Sequence, residues 1–241
     1  MKGLILKEYG LANLRKFNFR LAQQKLEGAL KYIKNDDVLY TYLSELYTNI
    51  RDLDKGIISA RNALKINRNN IAAYNLLGKI FQVKGDLRES IKNYFKLIEY
   101  NPDDDVIRGS IANMYLILKQ PDEAIAHYDY IIQLKPKSEF AITAKNNIIR
   151  AYIIKGDFQK GIKIGEELLN SNDATDLTYY NLGQAYYSFG QLEKAQKIAD
   201  AGIKAGSKYA PLFDLKGEIF NLKGDLKNAI QYYKRAVELD P

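Results

Sequence analysis

The chain has 241 residues, 46% hydrophobic and 27% charged, which suits a soluble folded protein and excludes a disordered one. It has no cysteine, which removes disulfides, thiolate metal sites and cysteine nucleophiles and leaves the redox compartment undecided. Lys plus Arg exceed Asp plus Glu, 36 against 29, for a net charge of +7; these residues form no block, so they read first as solvated helix faces, and only second as a site for an acidic partner or nucleic acid.

Met1 to Tyr9 lacks an apolar stretch long enough for a signal peptide, and no apolar run in the chain could span a bilayer. A cytoplasmic protein is the expectation. Gly85, Gly156, Gly190 and Gly224 then set a beat of 34 residues, broken by one slip of three. Each is followed by Asp or Gln and a hydrophobic residue. A period of 34 predicts a stack of similar units, an architecture that binds more often than it transforms.

Cutting at the beat gives seven repeats, 3–36, 37–70, 71–104, 105–138, 142–175, 176–209 and 210–241, with 139–141 inserted after the fourth. Apolar residues recur at spacings of three and four twice per repeat, as in Tyr74, Leu77 and Phe81 followed by Leu87, Ile91, Tyr94 and Ile98. That predicts two helices per repeat, and nothing reads as strand. The eighth and twentieth positions carry small residues: Gly10 and Ala22, Ser44 and Gly56, Gly78 and Ser90, Ala112 and Ala124, Gly183 and Ala195, Gly217 and Ala229. Two helices approach closely only where neither carries bulk, so these pairs predict a tight crossing. Aromatics at the eleventh position, from Tyr47 and Phe81 to Phe220, would fill the gap between repeats.

In chain order, Asp52, Asp86, Asp157 and Asp225 stand where the second helix of repeats two, three, five and seven needs an N-cap. Pro102, Pro136 and Pro241 would stop second helices, and Pro121 and Pro211 fall in first helical turns. Asp103, Asp104 and Asp105 lack calcium-loop spacing and read as a solvated turn with an N-cap. His127, the only histidine, has no partner pattern for metal or acid–base chemistry and reads as a helix residue. Ser138 is the expected N-cap of a first helix in repeat five that the insertion lengthens by about one turn, roughly 4.5 Å. Gly161, Gly165, Gly202 and Gly206 fall in second helices, where each costs about 1 kcal/mol against alanine. They read as close packing against a neighbour or, alternatively, as a softer joint between repeats one to four and five to seven.

Tyr74, Leu77, Gly78, Phe81, Gly85, Ser90, Tyr94 and Pro102 of repeat three resemble the signature of the tetratricopeptide repeat (TPR) family, and repeat seven matches almost as well. The resemblance covers essentially the whole chain and implies an all-α fold: fourteen antiparallel helices in one right-handed superhelix over residues 1–241. The residues themselves offer no catalytic, cofactor or metal pattern. Repeat one departs at Asn13, in the aromatic column. Repeat five departs at Lys145 and at Ile149, in a small-residue column, which predicts looser or shifted packing there.

In that family the first helices line a concave groove through their second, fifth, ninth and twelfth positions. Carried over, the groove holds Asn75, Lys79, Gln82, Asn113, Asn146, Arg150, Tyr180, Gln184 and Tyr187. The amides suit the backbone of an extended peptide. Lys79 and Arg150 favour a carboxylate, and Tyr180 and Tyr187, two turns apart, suit binding anchors. The clamp by which some members hold a chaperone tail is incomplete, because Pro211 and Leu215 stand where it needs Lys and Arg. The resulting expectation is a non-catalytic scaffold for a protein or peptide partner, preferably acidic. The rivals are a regulatory segment of a larger protein, a nucleic-acid binder, and self-association through an uncapped C-terminal end left apolar by Leu226, Ile230, Tyr233 and Val237.

Overall fold

The computed structural model describes residues 1–240; Pro241, the expected stop of the last helix, lies outside them. Among the described residues there are fourteen helices and no strand. They run in hairpins, one per predicted repeat: α1 (Lys2–Arg15) with α2 (Phe19–Leu30), α3 (Asp37–Asn49) with α4 (Leu53–Ile66), α5 (Ile71–Val83) with α6 (Leu87–Tyr100), and α7 (Asp105–Ile117) with α8 (Pro121–Leu134). After these come α9 (Glu139–Lys155) with α10 (Phe158–Asn170), α11 (Asp176–Ser188) with α12 (Leu192–Lys204), and α13 (Ala210–Leu222) with α14 (Leu226–Leu239). No described helix is long and apolar enough to cross a membrane.

The hairpin turn has the same backbone in every repeat. Gly85, Gly156, Gly190 and Gly224 take φ of +78° to +80°, the left-handed conformation that ends a helix most cheaply with glycine. Phe17, Arg51 and Lys119 hold the same position in the other repeats and adopt it without glycine's freedom, at φ 57°, 65° and 56°. The next residue starts the second helix: Asp52, Asp86 and Asp225 accept from the backbone N–H of Lys55, Glu89 and Asn228. Asp157 occupies the N-cap but makes no side-chain cap bond; its carboxylate pairs with Lys160 at 2.7 Å instead. Asp104 caps α7 through the Ile107 N–H at 2.9 Å.

The small columns are the crossing points. Ser44 Oγ donates to the Gly56 carbonyl at 2.9 Å, and Ser90 Oγ to the Gly78 carbonyl at 2.7 Å, so the two helices meet backbone to side chain. A Cβ on Gly217 would lie 2.5 Å from the Tyr233 ring, and one on Gly10 2.6 Å from Leu26. Ile149 is fully buried against Gly161, so its bulk is absorbed by the empty twentieth position; this corrects the expectation of loose packing in repeat five. Gly165 lies against Leu182, and Gly202 against Leu212 and Tyr179, the close packing expected of them. Gly206 is not in a helix; it follows α12 at φ +94°. Ser138 accepts from the Ala141 N–H at 3.1 Å and starts α9, which at 17 residues is the lengthened helix.

Contacts divide the chain into two compact units, Met1–Ile107 and Arg108–Pro241. In the first, α1, α3 and α5 touch in sequence, while α2 and α4 each pack on the first helix of the next repeat. In the second, α9, α11 and α13 touch in sequence, with α10 and α12 packed behind α11 and α13. Within each unit, therefore, one face is a row of first helices, and the core lies between that row and the second helices. Leu39, Leu43 and Leu46 fill it in the first unit, and Leu182, Leu215 and Ile219 in the second.

Candidate functional site

In the first unit the row of first helices carries a depression of about 360 Å³, lined by Thr41, Glu45 and Thr48 of α3 and by Asn75 and Lys79 of α5. The fifth, ninth and twelfth positions therefore face one surface. Thr41 and Thr48 donate to carbonyls one turn back, those of Asp37 and Ser44, at 2.8 and 2.7 Å. The Oδ1 of Asn75 is buried and has no hydrogen-bond partner among the described residues. Lys79 and Gln82 are exposed, and Gln82 Oε1 accepts from Tyr94 at 3.3 Å.

In the second unit Asn113 is exposed and accepts from the Tyr128 hydroxyl at 2.7 Å. Tyr94 and Tyr128 sit on second helices, yet their hydroxyls pass the small eighth-position residue and arrive on the first helix. The Tyr233 ring likewise packs on Gly217 of α13. The outer layer thus supplies part of the surface chemistry of the inner one.

Arg150 is exposed on α9, whereas Asn146 is only 1% exposed. Asn146 Nδ2 donates to the Ile142 carbonyl at 3.0 Å, and its own backbone carbonyl accepts from Asn181 of α11 at 2.8 Å. It ties α9 to α11 and lies beneath the surface that Arg150 occupies. Tyr180 and Tyr187 are half-buried on α11, and Tyr180 meets Tyr209 edge-on with ring centres 5.6 Å apart.

Beside them α13 presents Asp214 and Glu218, one turn apart. Burial, and then the Asp214 charge, raise the Glu218 carboxyl above its ordinary value. Burial raises Tyr180, Tyr187 and Tyr233 likewise, with the Glu218 charge adding to all three. The expected basic character of this face therefore ends at α9; α13 makes it acidic. Asp214 and Glu218 stand at the fifth and ninth positions and were legible as such. Tyr233 was not, because only the contact across Gly217 brings a second-helix residue to this surface. His127 stacks on Tyr115 at 5.8 Å, and among the described residues no group of acidic and histidine side chains could hold a metal ion.

A tetratricopeptide repeat family model matches residues 75–139 and 180–241. The chain belongs to the tetratricopeptide repeat family. Among curated relatives, the BBSome complex member BBS4 of Bos taurus is 25% identical over 88% of this chain and 47% of its own length. Lipopolysaccharide assembly protein B of Escherichia coli K12 is 22% identical over 92% of this chain and 57% of its own. The chain thus spans about half the length of these relatives. A TPR protein from Parabacteroides merdae has the same fold, with a TM-score of 0.71 and 18% identity over 100% of this chain and 94% of that one. The fold is an all-α TPR solenoid, of the kind typical of protein-interaction and assembly scaffolds.

Proposed function

We propose that this chain is a non-catalytic interaction scaffold that holds an extended segment of a partner protein across the first helices of the second compact unit. The observation that carries this is the pair Tyr180 and Tyr187. They sit two turns apart on α11 and are half-buried, packed against the core of the second unit, with Gln184 between them. Rings held by packing lose little freedom when a ligand covers them, so their remaining exposed area converts to affinity at low entropic cost. Two relatives, a BBSome complex member and a lipopolysaccharide assembly protein, agree with this reading.

Site-specific photo-crosslinking tests it. A crosslinking amino acid at Arg150, on the proposed face, is expected to capture a partner in cells of the native source. The same group at the exposed outer position Lys163 of α10 is not. Tyr180→Ala with Tyr187→Ala should abolish the Arg150 product while the circular dichroism of the chain is unchanged. Products from Lys163 alone would place the partner on the outer surface and sink the proposal.

A further inference from the structure

The ninth positions of repeats five, six and seven, on α9, α11 and α13, are Arg150, Gln184 and Glu218, so one row of the second unit runs from positive through neutral to negative. At its negative end Glu218 has Asp214 one turn away on the same helix. Among the described residues neither carboxylate has a cation within ion-pair distance. The lysines of the same helix and its end are engaged elsewhere: Lys216 with Asp200 and Tyr232, Lys223 with Glu193 and Gln196. A chain with a net charge of +7 has thus left an unneutralised carboxylate pair on a partly buried face. Like charges one turn apart destabilise a helix. Tyr180 and Tyr187 stand on α11, which packs on α13, and the Tyr233 ring lies against Gly217, next to Glu218; tyrosine rings attract a cation.

We infer that the surface formed by Asp214, Glu218, Tyr180, Tyr187 and Tyr233 takes a lysine or arginine side chain of the extended partner segment. This rests on the scaffold reading above and gives that partner a charge. A cation there relieves the repulsion of the two carboxylates and stacks on tyrosine at once, so charge complementarity selects the occupant. An acidic side chain is rejected at this end and accepted at Arg150. Neighbouring packed helices lie about 8–10 Å apart, so the two ends are separated by roughly 20 Å. An extended segment covers that distance in about six residues. The preferred segment therefore carries its base and its acid about six residues apart.

Fluorescence anisotropy with two fluorescein-labelled Gly/Ser decapeptides, one carrying three arginines and one three glutamates, tests the inference. The arginine peptide is expected to bind, and to lose at least tenfold in affinity in an Asp214→Asn/Glu218→Gln variant of unchanged melting temperature. The glutamate peptide should not weaken in that variant. If the arginine peptide fails to bind, or binds the variant as well as the wild type, the inference is overturned. In that event a glutamate peptide that binds and is lost in Tyr180→Ala/Tyr187→Ala would leave the scaffold reading standing. Indifference of both peptides to the tyrosine and carboxylate variants would remove both.

Discussion

Phe17, Arg51 and Lys119 bear a backbone conformation that the other four repeats give to glycine. A side chain in that region costs roughly 1 kcal/mol or more, partly offset because glycine also loosens the unfolded chain. Arg51→Gly and Lys119→Gly are therefore each expected to raise stability by a few tenths to about 1 kcal/mol, read as a higher urea midpoint at constant slope. A lower midpoint would show that the side chain contributes more than its strain. The beat of glycines announced the turn in four repeats, and the remaining three could be placed only by counting. A residue of poor propensity tells nothing locally when packing on both sides dictates its angles. His127 gives a second test at this scale. Burial, then the Arg108 charge, lower its pKa, so the folded chain prefers it neutral. The unfolded chain, with an ordinary value near 6.5, binds the extra proton. Stability is thus complete above about pH 6.5 and lost as pH falls through the lowered folded value. His127→Gln should flatten that part of the curve and leave neutral pH nearly unaffected, as measured by urea midpoints between pH 5 and 8.

At the scale of an element, α13 is the exception. Lys216 stands in the seventh position, where Leu43, Leu77, Ile111, Ile148 and Leu182 are core residues. It is buried too, its ammonium paired with Asp200 of α12 and donating to the Tyr232 hydroxyl of α14 at 2.7 Å. Replacing a buried ion pair by an apolar side chain is often neutral or stabilising, whereas removing one partner strands the other. Lys216→Leu should leave the urea midpoint unchanged or higher. Asp200→Ala should lower stability by about 1–3 kcal/mol, discounted because Asp200 is half exposed. Equal losses from both would mean that the ammonium is required for more than charge. The two helices of each repeat and the turn between them were legible, because caps, small columns and period all agree. The surface of α13 was less so. The fifth and ninth columns named Asp214 and Glu218, but their sign matters only once α11 and α14 bring three tyrosines beside them. Asn146 shows the reverse limit. Its column predicts an open face, and the approach of Asn181 from α11 buries it.

For the whole molecule, α14 leaves Leu226, Ile230 and Val237 more than half exposed, at 61%, 55% and 64%. Ile57 and Ile162 hold the same position as Ile230 and are buried, since inside a stack the next first helix covers it. An apolar stripe of this shape is the kind of surface that draws in a second molecule. Sedimentation velocity of this 241-residue chain is expected to show mass increasing with concentration, and Ile230→Lys/Val237→Lys to restore a monomer with a melting temperature close to wild type. A monomer at every concentration would exclude association through this end. The 34-residue period made the repeats countable from the sequence, because each hairpin buries its residues against neighbours of its own kind. What each stack binds is not encoded in that period. It depends on the few side chains that packing leaves uncovered.

Those uncovered side chains also give the protein a spectroscopic property. It has 19 tyrosines and no tryptophan, so its ultraviolet emission comes from phenol rings alone, and Tyr180, Tyr187 and Tyr233 stand where a partner would lie. A tryptophan-bearing segment settling there would drain that emission by energy transfer and re-emit it from indole. Its arrival could be followed without a label on either molecule.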